Sequence, residues 1–323
     1  MLLLWAIVIL QVVFVLFSPL FRSHSPFSWY YNNIYAPVFA DPTKYKWKYW
    51  VVPLFYTAIY TYCTILFYTK VLQLIRPSLY ILELYLLPFL LSTPLVFGCL
   101  TIVTPPYNSF TYHGPPFRFD KIIFHDGVRC RTCKAIKPAR SRHCSICDVC
   151  VVLADHHCIW LNNCIGLGNY ELFYMFLFSN CLVLSYATLR LPTAAPAGIW
   201  SSSNAFLSLY ILVTCFTVVL ISFSYTQIIL LNDGMTTNEK DKWYVIHDNM
   251  RHDRLVRFKN CYYLRLPLST APQCFEFYST NPYDPDIYAI QQHPYTVIKS
   301  HIDINNIYDQ GSFWRNLRER RSI

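Results

Sequence analysis

Ten cysteine and histidine side chains crowd into one short stretch near the middle of the chain. They are Cys130, Cys133, His143, Cys144, Cys147, Cys150, His156, His157, Cys158 and Cys164. The C-x2-C spacings allow two thiolates to reach one zinc ion at about 2.3 Å. Two tetrahedral zinc sites need about eight ligands between them, so one cysteine and one histidine remain. The spacing predicts structural zinc and leaves two side chains for other chemistry.

A carboxylate stands beside the groups that remain, in the run Asp155-His156-His157-Cys158. A thiol, an imidazole and an aspartate are the parts of an activated nucleophile, in which the imidazole takes the thiol proton and the aspartate orients the imidazole. Basic residues nearby favour the reactive thiolate. We therefore expect a reactive cysteine. The alternatives at this point are an incomplete third set of zinc ligands and simple redundancy.

The composition places this segment in a membrane protein. Of 323 residues, 54% are hydrophobic and only 14% are charged, against about 25% charged residues in a typical soluble domain. Five apolar runs have about the length that crosses the hydrocarbon core. The runs are Leu2–Leu20, Trp50–Tyr68, Leu79–Val103, Leu172–Leu189 and Phe206–Leu231. The first lacks a basic n-region and a cleavage pattern, so we interpret it as an uncleaved anchor.

Orientation follows from the Lys and Arg residues, which cytosolic loops retain. Arg22 and Lys44 lie after the first run, the Cys/His segment and the tail are basic, and residues 192–205 carry no charge. The first loop, the Cys/His segment and the tail are thus predicted to be cytosolic, with a hairpin around Lys70 and Arg76 as the exception. Cytosolic thiols stay reduced, which favours metal binding over disulfides. The net charge of +9 suits anionic lipid or phosphate-bearing ligands, and we expect no nucleic-acid partner.

Three separate stretches resemble the DHHC protein S-acyltransferases. The main one runs from Cys130-x2-Cys133 through Lys137-Pro138-x-Arg140-x2-His143-Cys144 and Asp155-His156-His157-Cys158-x-Trp160 to Asn162-Asn163-Cys164-Ile165-Gly166-x2-Asn169-x3-Phe173. Thr236-Thr237-Asn238-Glu239 is similar to the family's T-T-x-E motif. Asn306-Ile307-Tyr308-Asp309-Gln310-Gly311, followed by Asn316, is similar to its C-terminal motif.

The resemblance implies a role for each group. One zinc is expected on Cys130, Cys133, His143 and Cys150, and the other on Cys144, Cys147, His157 and Cys164. Cys158 is then the nucleophile that takes palmitoyl from palmitoyl-CoA, His156 the general base and Asp155 its partner. Thr236, Thr237 and Glu239 are expected to help position the aspartate. The tail is expected to dock on the membrane core through Asn306, Tyr308 and Asn316.

Substrates and surroundings are also implied. The acyl chain is expected in a cavity between membrane helices, and the phosphates of coenzyme A near basic candidates, which are Arg129, Arg131, Lys134, Lys137, Arg140 and Arg142. Ile159 stands where the family usually has proline. The chain further resembles a fungal branch of endoplasmic-reticulum enzymes that acylate SNARE proteins on cysteines next to their single membrane span. Membrane lipid, acyl-CoA and such proteins are the expected partners.

The predicted fold is an all-α polytopic membrane protein, a four-helix core with five spans in all, carrying a cytosolic two-zinc domain of short β-hairpins. The predicted order is an anchor (residues 1–21), a cytosolic loop (22–49), two spans (50–103), the zinc domain (104–171), two spans (172–231) and a cytosolic region (232–323). Two other classes are considered: a membrane-anchored ubiquitin ligase and a non-catalytic zinc-finger trafficking protein.

Overall fold

The computed structural model describes residues 10–11, 13–15, 17–41, 44–268, 271–300 and 303–321. Of the predicted first span, Leu2–Leu20, residues 2–9, 12 and 16 lie outside this described part. The chain divides into two compact units, Met1–Leu54 and Phe55–Ile323.

The first unit contains short helical segments that hold each other through polar side chains. A helix at Phe27–Tyr30 continues as a π-helix at Tyr31–Ala40. The amide of Gln11 donates to the Tyr30 hydroxyl at 2.6 Å. The Lys48 ammonium is buried and donates to the Asp41 carbonyl at 2.6 Å. Backbone carbonyls therefore satisfy this buried charge, as buried polar groups require.

Four helices in the described residues are long and apolar enough to cross a membrane. They are α1 (Lys46–Ser78), α2 (Ile81–Val103), α3 (Tyr170–Ala194) and α4 (Asn204–Asn232). The last four predicted spans are confirmed, whereas a fifth span is not. Helix α1 extends well beyond Tyr68 through a π-helical turn at Phe67–Val71, an α-helical turn at Leu72–Ile75 and a 3-10 turn at Arg76–Ser78. Lys70 interrupts the apolar run but not the helix.

Helix α3 packs between α2 and α4, and a short helix at Ile199–Ser202 joins α3 to α4. Many large apolar side chains point away from the bundle, among them Tyr85, Phe89 and Leu189. Lipid is as apolar as these side chains, so a membrane protein has no need to bury them. The bundle thus presents an apolar outer surface, as an integral membrane protein does.

Two short antiparallel hairpins follow α2 and confirm the predicted hairpin domain. Strand β1 (Arg142–Cys144) pairs with β2 (Val149–Val151), and β3 (His156–Cys158) pairs with β4 (Asn163–Ile165). Helix α3 begins shortly after β4. The hairpins are therefore fixed directly to the end of a membrane helix.

The region after α4 contains more regular structure than the sequence analysis predicted. Helix α5 (Thr237–Arg251) leads into a four-stranded antiparallel sheet, and α6 (Phe313–Glu319) follows it. The strands are β5 (Leu255–Phe258), β6 (Cys261–Leu268), β7 (Ala271–Ser279) and β8 (Thr296–Val297), in the spatial order β7-β6-β5-β8. A 3-10 turn at Ile290–Gln292 precedes β8.

One hydrophobic core joins this region to the segment that leads into the zinc hairpins. Trp243 and Met250 of α5 and Leu255 of β5 pack with Phe124 and Ala139. The predicted segments 104–171 and 232–323 are thus distant in sequence but share a core. Their packing places the start of α5 against the hairpins.

Candidate active site

The alternation of side chains along the hairpins separates two groups of ligands. His143 on β1 lies opposite Cys150 on β2. Successive residues of a strand point to opposite faces, so Cys144 leaves the other side of β1. The first group comprises Cys130, Cys133, His143 and Cys150, with all four ligating atoms within 4.8 Å of one another.

The second group forms on the other hairpin in the same way. His157 on β3 lies opposite Cys164 on β4, and Cys144 and Cys147 complete the set, again within 4.8 Å. The Cys147 sulfur lies 3.6 Å from the Cys164 sulfur and 3.5 Å from Nδ1 of His157. A tetrahedral zinc ion with bonds of about 2.3 Å separates its sulfur ligands by about 3.8 Å. Both groups have the ligand types and spacing that could hold zinc.

The same alternation directs His156 and Cys158 to the face of β3 opposite His157. Nδ1 of His156 lies 2.6 Å from Oδ2 of Asp155. An ionised carboxylate can only accept, so Nδ1 carries the proton and Nε2 is left for the thiol. The Cys158 side chain lies close enough to the imidazole to raise the pKa of His156, and only 5% of Cys158 is exposed. Asp155, His156 and Cys158 thus form a connected set.

Asp155 is buried and held from the opposite side by the first residue of α5. The Thr237 amide donates to Oδ1 at 2.7 Å and its hydroxyl to Oδ2 at 3.1 Å. The free amides at the start of a helix and its dipole favour a negative charge there. The carboxylate is thereby fixed with one oxygen facing His156.

These contacts shift both pKa values. Burial raises the pKa of Asp155. The hydrogen bond from His156 and smaller contributions, including the Arg320 charge, lower it by more, so that the pKa of Asp155 falls below its usual range. Burial lowers the pKa of His156, but the hydrogen bonds to Asp155 and Cys158 outweigh it and raise the pKa to about 9. The site therefore favours a proton on the imidazole.

Thr236 and Glu239 act on the start of α5 and make no direct contact with the aspartate. Thr236 caps the helix by accepting from the Glu239 amide, while Glu239 accepts from the Thr236 amide at 2.9 Å. This reciprocal pair fixes where α5 begins. Of the T-T-x-E motif, Thr237 alone contacts Asp155 in the described part of the chain.

Arg140 differs from the expectation that it contacts coenzyme A. It is 1% exposed and binds both Glu239 oxygens, at 2.6 and 2.7 Å, as well as Glu319 of α6 at 2.7 Å. A guanidinium engaged in this way has no accessible donor for a phosphate. Arg140 instead fixes α5 and α6 to the zinc segment.

The C-terminal motif contacts the turn between α4 and α5. Asn306 and Asn316 donate to the carbonyls of Asp233 and Asn232 at 2.9 and 3.0 Å. Gly234, with φ of 62°, approaches the tail so closely that a Cβ would lie 2.6 Å from Cα of Asp309. Only glycine fits there. The tail thus packs against the turn that precedes Thr237.

Tyr308 docks the motif on the other side. Its hydroxyl donates to the Arg118 carbonyl at 2.8 Å, and its ring lies 4.4 Å from the Arg140 guanidinium. The remaining basic candidates stay on or near the surface. Arg129, Arg131, Lys134 and Arg142 are exposed, while Lys137 donates to the Tyr283 hydroxyl at 3.2 Å.

An apolar cavity of about 540 Å³ extends between the four membrane helices from this site. Cys158 and His156 line it together with Phe173 and Phe176 of α3 and Phe223 of α4. Phe173 and Phe223 also pack edge-on against the His156 ring. Phe173 is expected from sequence only as the last residue of the main motif, and Phe176 and Phe223 are not expected at all, because apolar side chains within a span carry no signal that separates cavity lining from lipid contact.

Comparisons with known proteins agree with this arrangement. Residues 123–244 match the profile of the family described as DHHC palmitoyltransferase. Palmitoyltransferase SWF1 of Eremothecium gossypii is 45% identical over 315 residues, covering 98% of this chain and 94% of that protein. Palmitoyltransferase SWF1 of Saccharomyces cerevisiae is 40% identical over 334 residues, covering 98% of each. Palmitoyltransferase ZDHHC4 of Mus musculus is 42% identical over 139 residues, 41% of this chain and 38% of that protein.

The chain therefore belongs to the DHHC palmitoyltransferase family. It is an enzyme, a protein S-palmitoyltransferase, as the sequence analysis expected. Neither the ubiquitin ligase nor the non-catalytic trafficking protein receives support from these comparisons.

Proposed function

We propose that this enzyme transfers palmitoyl from palmitoyl-CoA to Cys158 and then from Cys158 to a cysteine of a membrane protein. The observation that carries the proposal is the connected set from Thr237 through Asp155 and His156 to Cys158, placed at the mouth of an apolar cavity. Nucleophile, base and orienting carboxylate lie together where a long acyl chain can be buried.

In the first half-reaction, His156 takes the proton of the Cys158 thiol, and the sulfur attacks the thioester carbonyl of palmitoyl-CoA. The carbon-sulfur bond to coenzyme A breaks, and His156 returns the proton to the departing thiolate. Asp155 holds the imidazole with Nε2 toward the sulfur throughout, since Nδ1 is occupied. The product is a palmitoyl thioester on Cys158.

In the second half-reaction, His156 takes the proton of a substrate thiol, which attacks the acyl-enzyme. The thioester moves to the substrate, and the proton passes to Cys158. Because the acyl chain lies among membrane helices, a cysteine close to its own membrane span can reach the thioester with the least displacement. SNARE proteins with a cysteine beside a single span are our proposed substrates, by the resemblance to the SNARE-acylating branch.

The cavity suits the acyl chain. Its lining is almost entirely apolar, and its volume of about 540 Å³ lies within the range of about 300 to 1,000 Å³ usual for small-ligand sites. Burial of methylene groups there contributes about 0.8 kcal/mol each. Membrane-embedded binding of palmitoyl therefore supplies much of the affinity for the donor.

The two ligand groups are proposed to hold structural zinc. Three thiolates and one imidazole leave no open position for a reacting molecule, which is the pattern of a structural site. Zinc would tie the ends of both hairpins together, and the residues of the hairpins themselves carry the chemistry. The ligand His157 lies between His156 and Cys158 on β3, so zinc binding by His157 would also hold these two residues in place.

We further propose that the protein lies in the endoplasmic reticulum membrane, with the zinc hairpins and the region after α4 on its cytosolic side. The distribution of Lys and Arg supports this orientation. The exposed residues Arg129, Arg131, Lys134 and Arg142, with Lys137, are the proposed contacts for the coenzyme A phosphates.

The decisive test compares purified wild-type protein with Cys158→Ser, each incubated with alkyne-tagged palmitoyl-CoA. The label should appear on the wild type, be released by hydroxylamine as a thioester is, and be missing from the variant. Zinc content and thermal unfolding should be the same in both. Cys261→Ser serves as the matched control, because Cys261 lies on β6 outside the site.

Equal labelling of wild type and Cys158→Ser would place the acyl group on another cysteine and contradict the proposal. Absence of label from both, with zinc and fold intact, would favour the non-catalytic class.

A further inference from the structure

A buried arginine lies close enough to Asp155 to lower the pKa of its carboxyl, outside the motifs that the sequence predicts. Arg320 follows α6 directly, and 2% of it is exposed. Within the described part of the chain it makes no ion pair with a carboxylate. A buried charge is costly unless its donors are well satisfied. Its partners therefore indicate what it is for.

On one side, Arg320 binds the segment that precedes Thr237. Its Nη2 donates to the carbonyl of Met235 and, at 3.5 Å, to that of Leu230. Met235 is two residues before Thr237, whose amide and hydroxyl hold Asp155. Arg320 thus fixes the backbone from which the donors to Asp155 project.

On the other side, Arg320 contacts the helix that supports the hairpin segment. Nη1 donates to the Tyr174 hydroxyl, and the guanidinium lies 5.0 Å from the centre of the Tyr170 ring. The Tyr170 hydroxyl in turn donates to the Leu153 carbonyl at 3.4 Å, two residues before Asp155. Tyr170 therefore links Arg320 to the backbone that carries the aspartate itself.

We propose that Arg320 is a positioning residue that holds the backbone of Asp155 and the backbone of Thr237 in a fixed mutual position. This inference rests on the proposed catalytic role of Asp155. The planar fork of a guanidinium reaches a hydroxyl, two carbonyls and an aromatic face at once, which a lysine ammonium cannot do. Arg320 makes no contact with the reacting atoms and acts through Asp155.

The position of the two segments matters because small displacements at a catalytic group are costly. A shift of about 1 Å can lower a rate about 100-fold. If the Thr237 donors move relative to Asp155, the carboxylate no longer holds the His156 ring with Nε2 toward Cys158. Binding of the acyl chain in the cavity does not depend on this relationship, so the rate of acylation should change while the affinity for palmitoyl-CoA does not.

The test measures single-turnover formation of the Cys158 thioester at several concentrations of palmitoyl-CoA. We expect Arg320→Gln to lower the maximal rate about tenfold to 100-fold with an unchanged half-saturating concentration and unchanged zinc content. Arg321→Gln is the matched control, since Arg321 is largely exposed and pairs with Glu171 at the surface. It should react at the wild-type rate.

A double-mutant cycle separates positioning from a general structural effect. In an Asp155→Asn background, Arg320→Gln should lower the maximal rate of thioester formation less than threefold, because the group through which Arg320 acts is already impaired. An equal cost in both backgrounds, or a wild-type rate for Arg320→Gln alone, would overturn the inference. A wild-type rate for Asp155→Asn would instead contradict the proposed function.

Two further variants keep the test open if Arg320→Gln does not fold. Tyr174→Phe removes one hydrogen-bond partner of Arg320 and should lower the same rate with the same dependence on Asp155. Arg320→Ala supplied with dilute guanidinium should regain part of its rate, whereas Arg321→Ala should not respond. A rate for Tyr174→Phe equal to that of wild type would count against the inference.

Discussion

Nδ1 of His156 lies 2.6 Å from Oδ2 of Asp155, although the two residues are neighbours in sequence. Adjacent residues of a strand would point to opposite faces. Asp155 precedes β3, however, and Thr237 donates to both oxygens of its carboxylate, which holds it toward His156. The contact therefore depends on α5, about eighty residues away in the chain, as much as on the local sequence.

Replacement of His156 tests the base directly. His156→Ala should slow thioester formation about 100-fold to 10,000-fold, the usual contribution of a general base. Zinc content should not change, because the ligand His157 lies on the opposite face of β3. The measurement is the time course of hydroxylamine-sensitive label. His252→Ala, at an exposed position after α5, is the control, and a normal rate for His156→Ala would assign the base elsewhere.

The two zinc groups predict a separation between metal content and chemistry. Cys147→Ser removes one thiolate of the second group, so this variant should lose about half of its zinc and unfold at a lower temperature. Cys158→Ser should retain all its zinc. Elemental analysis of the purified proteins gives the zinc-to-protein ratio. Loss of zinc from Cys158→Ser would show that Cys158 is itself a ligand.

The two threonines of the T-T-x-E motif should have different effects. Thr237→Ala removes the hydroxyl bond to Asp155 but keeps the amide bond, so it should reduce the rate only about fivefold, which corresponds to about 1 kcal/mol. Thr236→Ala removes a helix cap and should lower the free energy of unfolding by about 1 kcal/mol. Measuring the rate of thioester formation and the thermal unfolding of both variants separates the effect on rate from the effect on stability. A larger loss of rate for Thr236→Ala would contradict the division of roles.

Arg140 should prove structural. Among the described residues, Arg140→Ala leaves the Glu239 carboxylate buried without a charged partner, with only the Thr236 amide still donating to it, and such a loss typically costs about 3 to 5 kcal/mol. The temperature of thermal unfolding should therefore fall steeply in Arg140→Ala. The control Arg318→Ala, at an exposed position of α6, should unfold at the wild-type temperature. A stable Arg140→Ala protein with a raised KM for palmitoyl-CoA would restore Arg140 as a coenzyme A contact.

The depth of the cavity should set the preferred chain length. Val183 lines it and lies thirteen residues into α3 from Tyr170, which corresponds to about 20 Å along the helix. Val183→Phe should fill the deep part and shift the preference toward acyl-CoA donors shorter than palmitoyl. Competition between donors of different length measures this shift. Leu189→Phe, on the outer surface, should keep the wild-type preference, and an unchanged preference in Val183→Phe would place the chain elsewhere.

The local sequence was sufficient for features that depend on spacing. Four spans follow from runs of apolar residues, and two zinc sites with one Cys and one His left over follow from closely spaced Cys and His residues, whereas the identity of the reactive pair came from the family resemblance. Apolar runs do not fix where a helix ends, however. Lys70 ended the apolar run, but α1 continues past it to Ser78. The sheet β5–β8 was missed because its segment mixes charges with proline and tyrosine.

The separation of the ligands into two groups follows from strand alternation once the hairpin register is known. His143 pairs with Cys150, and His157 with Cys164. Spacing alone leaves this register open, since any of several pairings brings two thiolates together. The resemblance implied the ligand sets, and the alternation supplies their physical reason.

Tertiary structure alone decided which charged residues are available. Arg140 stands among basic residues in the sequence, yet Glu239 and Glu319 reach it from helices that are distant in the chain. Arg320 belongs to no recognised motif, yet it contacts the Met235 carbonyl before Thr237 and the Tyr170 ring, whose hydroxyl binds the Leu153 carbonyl. Spacing and apolarity act between near neighbours and can be read from the sequence, whereas these contacts exist only after α5 and α6 have packed against the hairpins and the membrane helices.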